Sequence, residues 1–185
     1  VLLLNYFLFP KIKNLVKKRD SIQLLKQPVY LNKERKLNIY DKLHNKKNED
    51  KIFYNFSLQA DIYINPQPEN TKGTFNENVH IINFGNQPVV EYNVSTNNLI
   101  IKSHNNPLNE NIILNKIQFP LQKWNTLTVQ YNDGIVDIFL NGQLIRSKKN
   151  MIPYKKFHDI VIGQKNGIEG SIKNIFYYNK NIDLN

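Results

Sequence analysis

The sequence predicts an all-β protein: a single antiparallel β-sandwich, preceded by a basic, partly helical N-terminal segment. Three observations carry this. From residue 52 onward, apolar residues recur at every second position instead of every third or fourth. Such runs are short, stand at about ten-residue intervals, and are separated by Gly, Asn and Pro clusters with no helix-length pattern between them. The positive charge is also unevenly placed. Residues 1–51 hold 13 Lys/Arg and 5 Asp/Glu (net +8), whereas residues 52–185 hold 12 and 10 (net +2), which together give the formal +10. The larger part is near neutral, with lysines alternating with acids, and this argues against a nucleic-acid partner.

Residues 1–27 read as an apolar and basic anchor. Val1-Leu2-Leu3-Leu4-Asn5-Tyr6-Phe7-Leu8-Phe9 is followed by Pro10 and by Lys11, Lys13, Lys17, Lys18 and Arg19. Nine helical residues cover about 14 Å, less than half of a ~30 Å bilayer core. The chain does not start with Met, so the expectation is the end of a transmembrane or membrane-proximal helix with the basic flank on the cytoplasmic side. Carbonate-resistant flotation of the full-length product tests it. Ile12, Leu15, Val16, Ile22 and Leu25 stand at near-helical spacing and predict an amphipathic helix over 11–27, stopped by Pro28. Residues 28–51 are polar and free of glycine, and read as a linker with one strand at 28–31 leading into the sandwich.

The sandwich itself is placed at 52–185. Phe56, Leu58, Ala60, Ile62 and Ile64 alternate with Ser57, Gln59, Asp61 and Tyr63, one dry face and one wet face. Asn65-Pro66-Gln67-Pro68 ends that strand, since proline cannot donate to a ladder. A polar loop runs to about residue 78, and strands are predicted at 79–84, 89–94, 99–102 and 112–117. The turns between them fall at Gly85-Asn86, Ser95-Thr96-Asn97-Asn98 and Asn105-Asn106-Pro107. The clearest stretch is 124–143, where Asp133-Gly134 and Asn141-Gly142 supply the positive φ angles of two consecutive tight hairpins. A strand at 159–163, a turn at 167–170 and a last strand at 171–178 close the chain.

At this point the sequence resembles a known family. Trp124-Asn-Thr-Leu-Thr-Val-Gln-Tyr-Asn-Asp-Gly-Ile-Val-Asp-Ile-Phe-Leu-Asn141-Gly142 is similar to the core hairpins of concanavalin A-like (laminin-G-like) jelly rolls. Ile160-Val-Ile-Gly163 and Gly170-Ser-Ile-Lys-Asn-Ile-Phe-Tyr-Tyr178 resemble that family's last two strands, so the likeness covers roughly 52–182. More narrowly, the basic segment and Tyr30-Leu31-Asn32-Lys33 resemble membrane-anchored copies encoded by large DNA viruses. That narrower likeness implies a minor capsid or virion protein, membrane-associated, with the β domain on the cytoplasmic, capsid-facing side. Other virion proteins would be its partners.

The candidate sites are few. The chain has no cysteine, which removes thiol nucleophiles and cysteine-ligated zinc. Glucan-hydrolysing relatives cluster carboxylates as Glu-x-Asp-x-x-Glu on one strand; no such cluster occurs here, and Asp133, four residues before Asp137, is a turn former. The sequence therefore reads as non-enzymatic, with no cofactor and no catalytic residue. Oxygen ligands for calcium group only at Glu69, Asn70, Asn76, Glu77 and Asn78, which read as a solvated loop. His44, His80, His104 and His158 lack metal or catalytic spacing, and His80 and His158 fall in predicted strands. Trp124 is expected in the core, where the resemblance implies that position packs. Asn55 and Asn93 match the glycosylation pattern and are expected unmodified on a cytoplasmic face. The reading is a non-catalytic structural or interaction module, with a glycan-binding, lectin-like domain as the alternative. For a glycan or a partner the candidate contacts are Asn83, Asn86, Tyr92 and Asn166.

Overall fold

The structure, a computed structural model, describes residues 21–43, 52–67, 77–104, 111–154 and 158–182, with the backbone alone over 111–115. The elements follow in order as β1 (Ser21–Leu25), β2 (Val29–Tyr30), β3 (Arg35–Asn38), a single helical turn α1 (Tyr40–Leu43), β4 (Phe56–Ile64), β5 (Asn78–Phe84) and β6 (Val89–Asn93). They continue as β7 (Asn98–His104), β8 (Asn111–Gln118), β9 (Asn125–Asn132), β10 (Ile135–Leu140), β11 (Gln143–Lys149), β12 (Asp159–Ile162) and β13 (Gly170–Tyr178). All pairings are antiparallel. The first sheet runs β1-β13-β4-β9-β10-β11, with β2 beside β1 on the same edge of β13; the second runs β3-β12-β5-β6-β7-β8.

Period-two alternation puts one face of each sheet into a shared core. Phe56, Leu58, Ala60, Ile62 and Ile64 of β4 are buried there with Val129 and Tyr131 of β9, facing Val79, Phe84, Leu99 and Ile101 of the second sheet. Phe56 stacks between Tyr131 (ring centroids 4.6 Å apart) and Tyr177 (5.7 Å). Both two-residue hairpins form as expected: Asp133 and Gly134 stand at φ 47° and 77°, Asn141 and Gly142 at 53° and 81°. In β13 a bulge lies between Lys173 and Phe176, and Asn174 there has φ 49°. The extra residue explains how Ile172 and Ile175, three apart, both point inward.

Upstream of residue 52 the chain departs from expectation. Residues 21–25, expected in the amphipathic helix over 11–27, form strand β1 on the edge of β13, with Ile22 partly buried and Leu24 buried. Ile22 and Leu24 are two apart, so the strand reading uses a pair that the helical reading broke; an open sheet edge outweighs the weak preference of a short helix. Residues 28–43 are not only a linker leading into the sandwich. They hold β2 and β3, one in each sheet, and bury Leu31, Ile39 and Leu43. The sandwich therefore takes in residues from 21 onward. The anchor run over 1–20, including Lys11, Lys13, Lys17, Lys18 and Arg19, lies outside the described residues, as do His44 and the turn at 105–107.

Candidate functional site

The outer face of the second sheet concentrates polar chemistry in register. Asn78 of β5 pairs with Asn93 of β6, Asn93 with Asn98 of β7, and Asn98 with Gln118 of β8, so four amides form one row across four strands. The next row runs His80, Glu91, Ile100 and Lys116. Residues directly opposite share a face, so the pleat brings both rows to the same surface. Between them lies a cleft of about 240 Å³, walled by Asn78, Asn93, Lys102 and Lys116, with Ile100 as its apolar floor and Thr96 at its mouth.

Hydrogen bonds hold the cleft in shape. Asn93 Nδ2 donates to Asn78 Oδ1 at 3.0 Å, while Asn93 Oδ1 accepts from the Thr96 amide (3.0 Å) and the Thr96 hydroxyl (2.9 Å). Gln118 Nε2 donates to the Thr96 carbonyl (3.0 Å) and to Asn98 Oδ1 (3.4 Å). Deeper in, Glu91 is 7% exposed, and its carboxylate meets the Lys102 ammonium at 2.5 Å and His80 Nδ1 at 3.8 Å. A carboxylate so far out of water needs such a counter-charge. Lys116, across Ile100, is exposed. The cleft thus presents amide donors and two ammonium groups against one carboxylate.

The residues expected to contact a ligand are not brought together. Asn86 donates its backbone N–H to Asn83 Oδ1 (2.7 Å), and Asn83 Nδ2 donates to Asn86 Oδ1 (3.0 Å), so this pair shapes the β5–β6 turn. Tyr92 is buried, and its hydroxyl donates to Asn97 Oδ1 at 2.8 Å. It therefore drops out as a contact. Its parity misled: Tyr92 points into the core, and its neighbours Glu91 and Asn93 point to the cleft. Asn166, at φ 57°, lines a separate hollow with Asn32, Lys33, Glu34 and Lys165. Trp124, expected in the core, is 39% exposed; it precedes β9 and lies outside that strand's inward alternation. His80 lies in a strand as expected, while His158 precedes β12 and stacks on Tyr40 with ring centroids 4.8 Å apart. Asn55 is engaged with Asp133, donating from Nδ2 at 3.0 Å and accepting its amide at 2.9 Å. Of the loop proposed for oxygen ligands, Glu69, Asn70 and Asn76 lie outside the described residues. Among the described residues no three His, Asp or Glu side chains group as metal ligands.

Comparison with known proteins agrees with this architecture. The family model described as the concanavalin A-like lectin/glucanases superfamily matches residues 40–182. No curated protein matches the sequence. Solved structures that superpose include the receptor-binding domain of botulinum neurotoxin mosaic serotype C/D, at TM-score 0.64 and 16% identity over 89% of this chain and 43% of that one. The binding domain of botulinum neurotoxin DC in complex with SialylT superposes at TM-score 0.59 and 16% identity, over 90% and 49% of the two chains. The binding domain of Paraclostridial Mosquitocidal Protein 1 gives 0.60 and 12%, over 88% and 44%. The chain spans less than half the length of each of these three neighbours.

Proposed function

The chain belongs to the concanavalin A-like lectin/glucanase superfamily, and on that premise we propose that it is a non-catalytic glycan-binding domain whose site is the cleft on the outer face of the second sheet. The observation that carries the reading is the row of amides, of which Asn78, Asn93 and Asn98 line the cleft, set beside the buried Glu91–Lys102 pair. Sugar hydroxyls donate and accept at once, and a rigid amide row meets both needs. The two ammonium groups against a single carboxylate favour a glycan bearing an acidic group, with Lys116 as its partner. Several structural neighbours are named as binding domains, one of them in complex with SialylT, which accords with this reading.

The glycan reading stands ahead of a virion scaffold because the cleft and the structural neighbours named as binding domains support it. The likeness to viral copies is carried by the basic segment and residues 30–33, and of the latter Leu31 has a packing role while Tyr30 and Lys33 are exposed. Leu31 is fully buried, its N–H donates to the Gly170 carbonyl at 3.0 Å, and its carbonyl accepts from Gln164 at 3.2 Å.

Binding of the full chain to arrays of neutral and acidic glycans tests the proposal. Acidic glycans are expected to be retained and to weaken with added salt. Lys116→Ala removes a charge-assisted hydrogen bond worth about 1.5–3 kcal/mol and should lower affinity roughly tenfold or more. Retention of no glycan by folded protein, or unchanged affinity in Lys116→Ala and Asn98→Ala alike, refutes it.

A further inference from the structure

We propose a second binding site on the outer face of the other sheet, for an extended, uncharged polysaccharide chain. Tyr30 of β2 is in register with Ser171 of β13, and Ser171 with Tyr63 of β4. Tyr63 meets Trp124 with ring centroids 5.4 Å apart. Across β2, β13 and β4 and the residue that enters β9, the row therefore reads Tyr, Ser, Tyr, Trp. Tyr30 is 69% exposed and Trp124 39%. Tyr30 and Trp124 are thus exposed and Tyr63 half-buried beside Trp124, in a chain that buries other rings tightly around Phe56. Strands lie ~4.8 Å apart, so the ring-bearing positions span about 14 Å, with the small Ser171 leaving a gap. A single sugar unit cannot cover that length, but several units of a linear chain can, laying their C–H faces on the rings.

The second row supplies polar contacts without net charge. Lys173, Asp61 and Thr126 are in register. Lys173 Nζ sits 4.0 Å from the centre of the Trp124 ring and fixes its orientation. Asp61 accepts from the Thr126 hydroxyl at 2.7 Å and from Asn174 Nδ2 at 2.8 Å, and the bulge at Asn174 aims that amide. One cation stands against one anion, which suits a neutral ligand and contrasts with the basic cleft. The two sites share no residue.

The chain holds one tryptophan, so its fluorescence reports on this site alone. Soluble hydroxyethylcellulose, xylan, mannan and laminarin serve as probes in affinity gels and fluorescence titration with the full chain. At least one is expected to retard the protein and shift or quench the emission. Oligosaccharides of the retained polymer, from dimer to hexamer, should bind more tightly with length. Trp124→Ala and Tyr63→Ala should each weaken polymer binding at least tenfold, with unchanged circular dichroism. Tyr30→Ala should weaken the hexamer and leave the dimer unaffected. Binding of acidic glycans in the cleft should persist in Trp124→Ala, so the two readings fail separately. No retardation and no change in emission with all four polymers overturns the proposal, as does affinity independent of chain length or of all three rings.

Discussion

Tyrosine hydroxyls inside the sandwich couple its stability to alkaline pH. Burial pushes the Tyr131 and Tyr177 hydroxyls well above the usual tyrosine range; at Tyr131 a 3.1 Å hydrogen bond with Ser103 pulls slightly the other way. Burial also raises Tyr92. In the unfolded chain these groups ionise near pH ~10, while in the folded chain they hold their protons. Folded protein then binds more protons than unfolded above that pH, so stability is complete below pH ~10 and falls as pH rises further. Denaturant midpoints measured at about pH 8 and about pH 11 should show the loss, the midpoint falling at the higher pH. A midpoint that does not fall at the higher pH contradicts the burial of these rings. The same scale accounts for what was legible of the binding surface. Glu91 and Tyr92 are neighbours in a strand whose every residue but the last is buried, so burial along it does not mark which of the two faces outward.

Turn and edge elements depend on backbone as much as on side chains. Gly142 sits at φ 81° in an open hairpin, where a Cβ would meet nothing within 4 Å. Gly163 sits at φ 68° with the strand-entering loop pressed on it: a Cβ would fall 2.5 Å from the Lys33 carbonyl oxygen and 2.9 Å from that of Leu31. Gly142→Ala should cost only the left-handed strain, about 1–2 kcal/mol. Gly163→Ala adds a clash with fixed backbone and should cost clearly more, roughly 3 kcal/mol or above, by shifting the Leu31 loop. Denaturant unfolding of both variants checks the order, and equal losses contradict the tight approach. The hairpins at 133–134 and 141–142 were readable because their geometry is local: positive φ demands Asn, Asp or Gly at fixed positions. The glycine at 163 was readable only as the end of a strand, since what it touches comes from 130 residues earlier in the chain.

At the scale of the whole molecule, the sandwich is closed by residues that lie before its evident strands. β1 and β2 complete one edge of the first sheet and β3 one edge of the second. Leu24, Leu31, Ile39 and Leu43 enter the common core from these segments. At about 1.5–3 kcal/mol for each large apolar side chain buried, their loss is comparable with a whole domain's net stability of ~5–15 kcal/mol. A fragment starting at residue 52 should therefore fail to fold cooperatively, whereas one starting at residue 21 should melt as a unit. A cooperative transition in the shorter fragment at the same temperature contradicts the role assigned to β1–β3.

The sequence by itself determined the fold class, the phase of β4 and the position of both tight hairpins. Each of these follows from side-chain alternation or from φ angles that neighbouring residues impose. Tertiary structure alone decided where residues 21–43 go, because short, weakly patterned segments take whatever edge the sheets leave open. It also decided the surfaces. Asn78, Asn93, Asn98 and Gln118 are up to 40 positions apart, and Tyr30, Tyr63 and Trp124 span nearly a hundred. Strand register sets them side by side, and register is fixed by pairing between distant segments that no local pattern encodes.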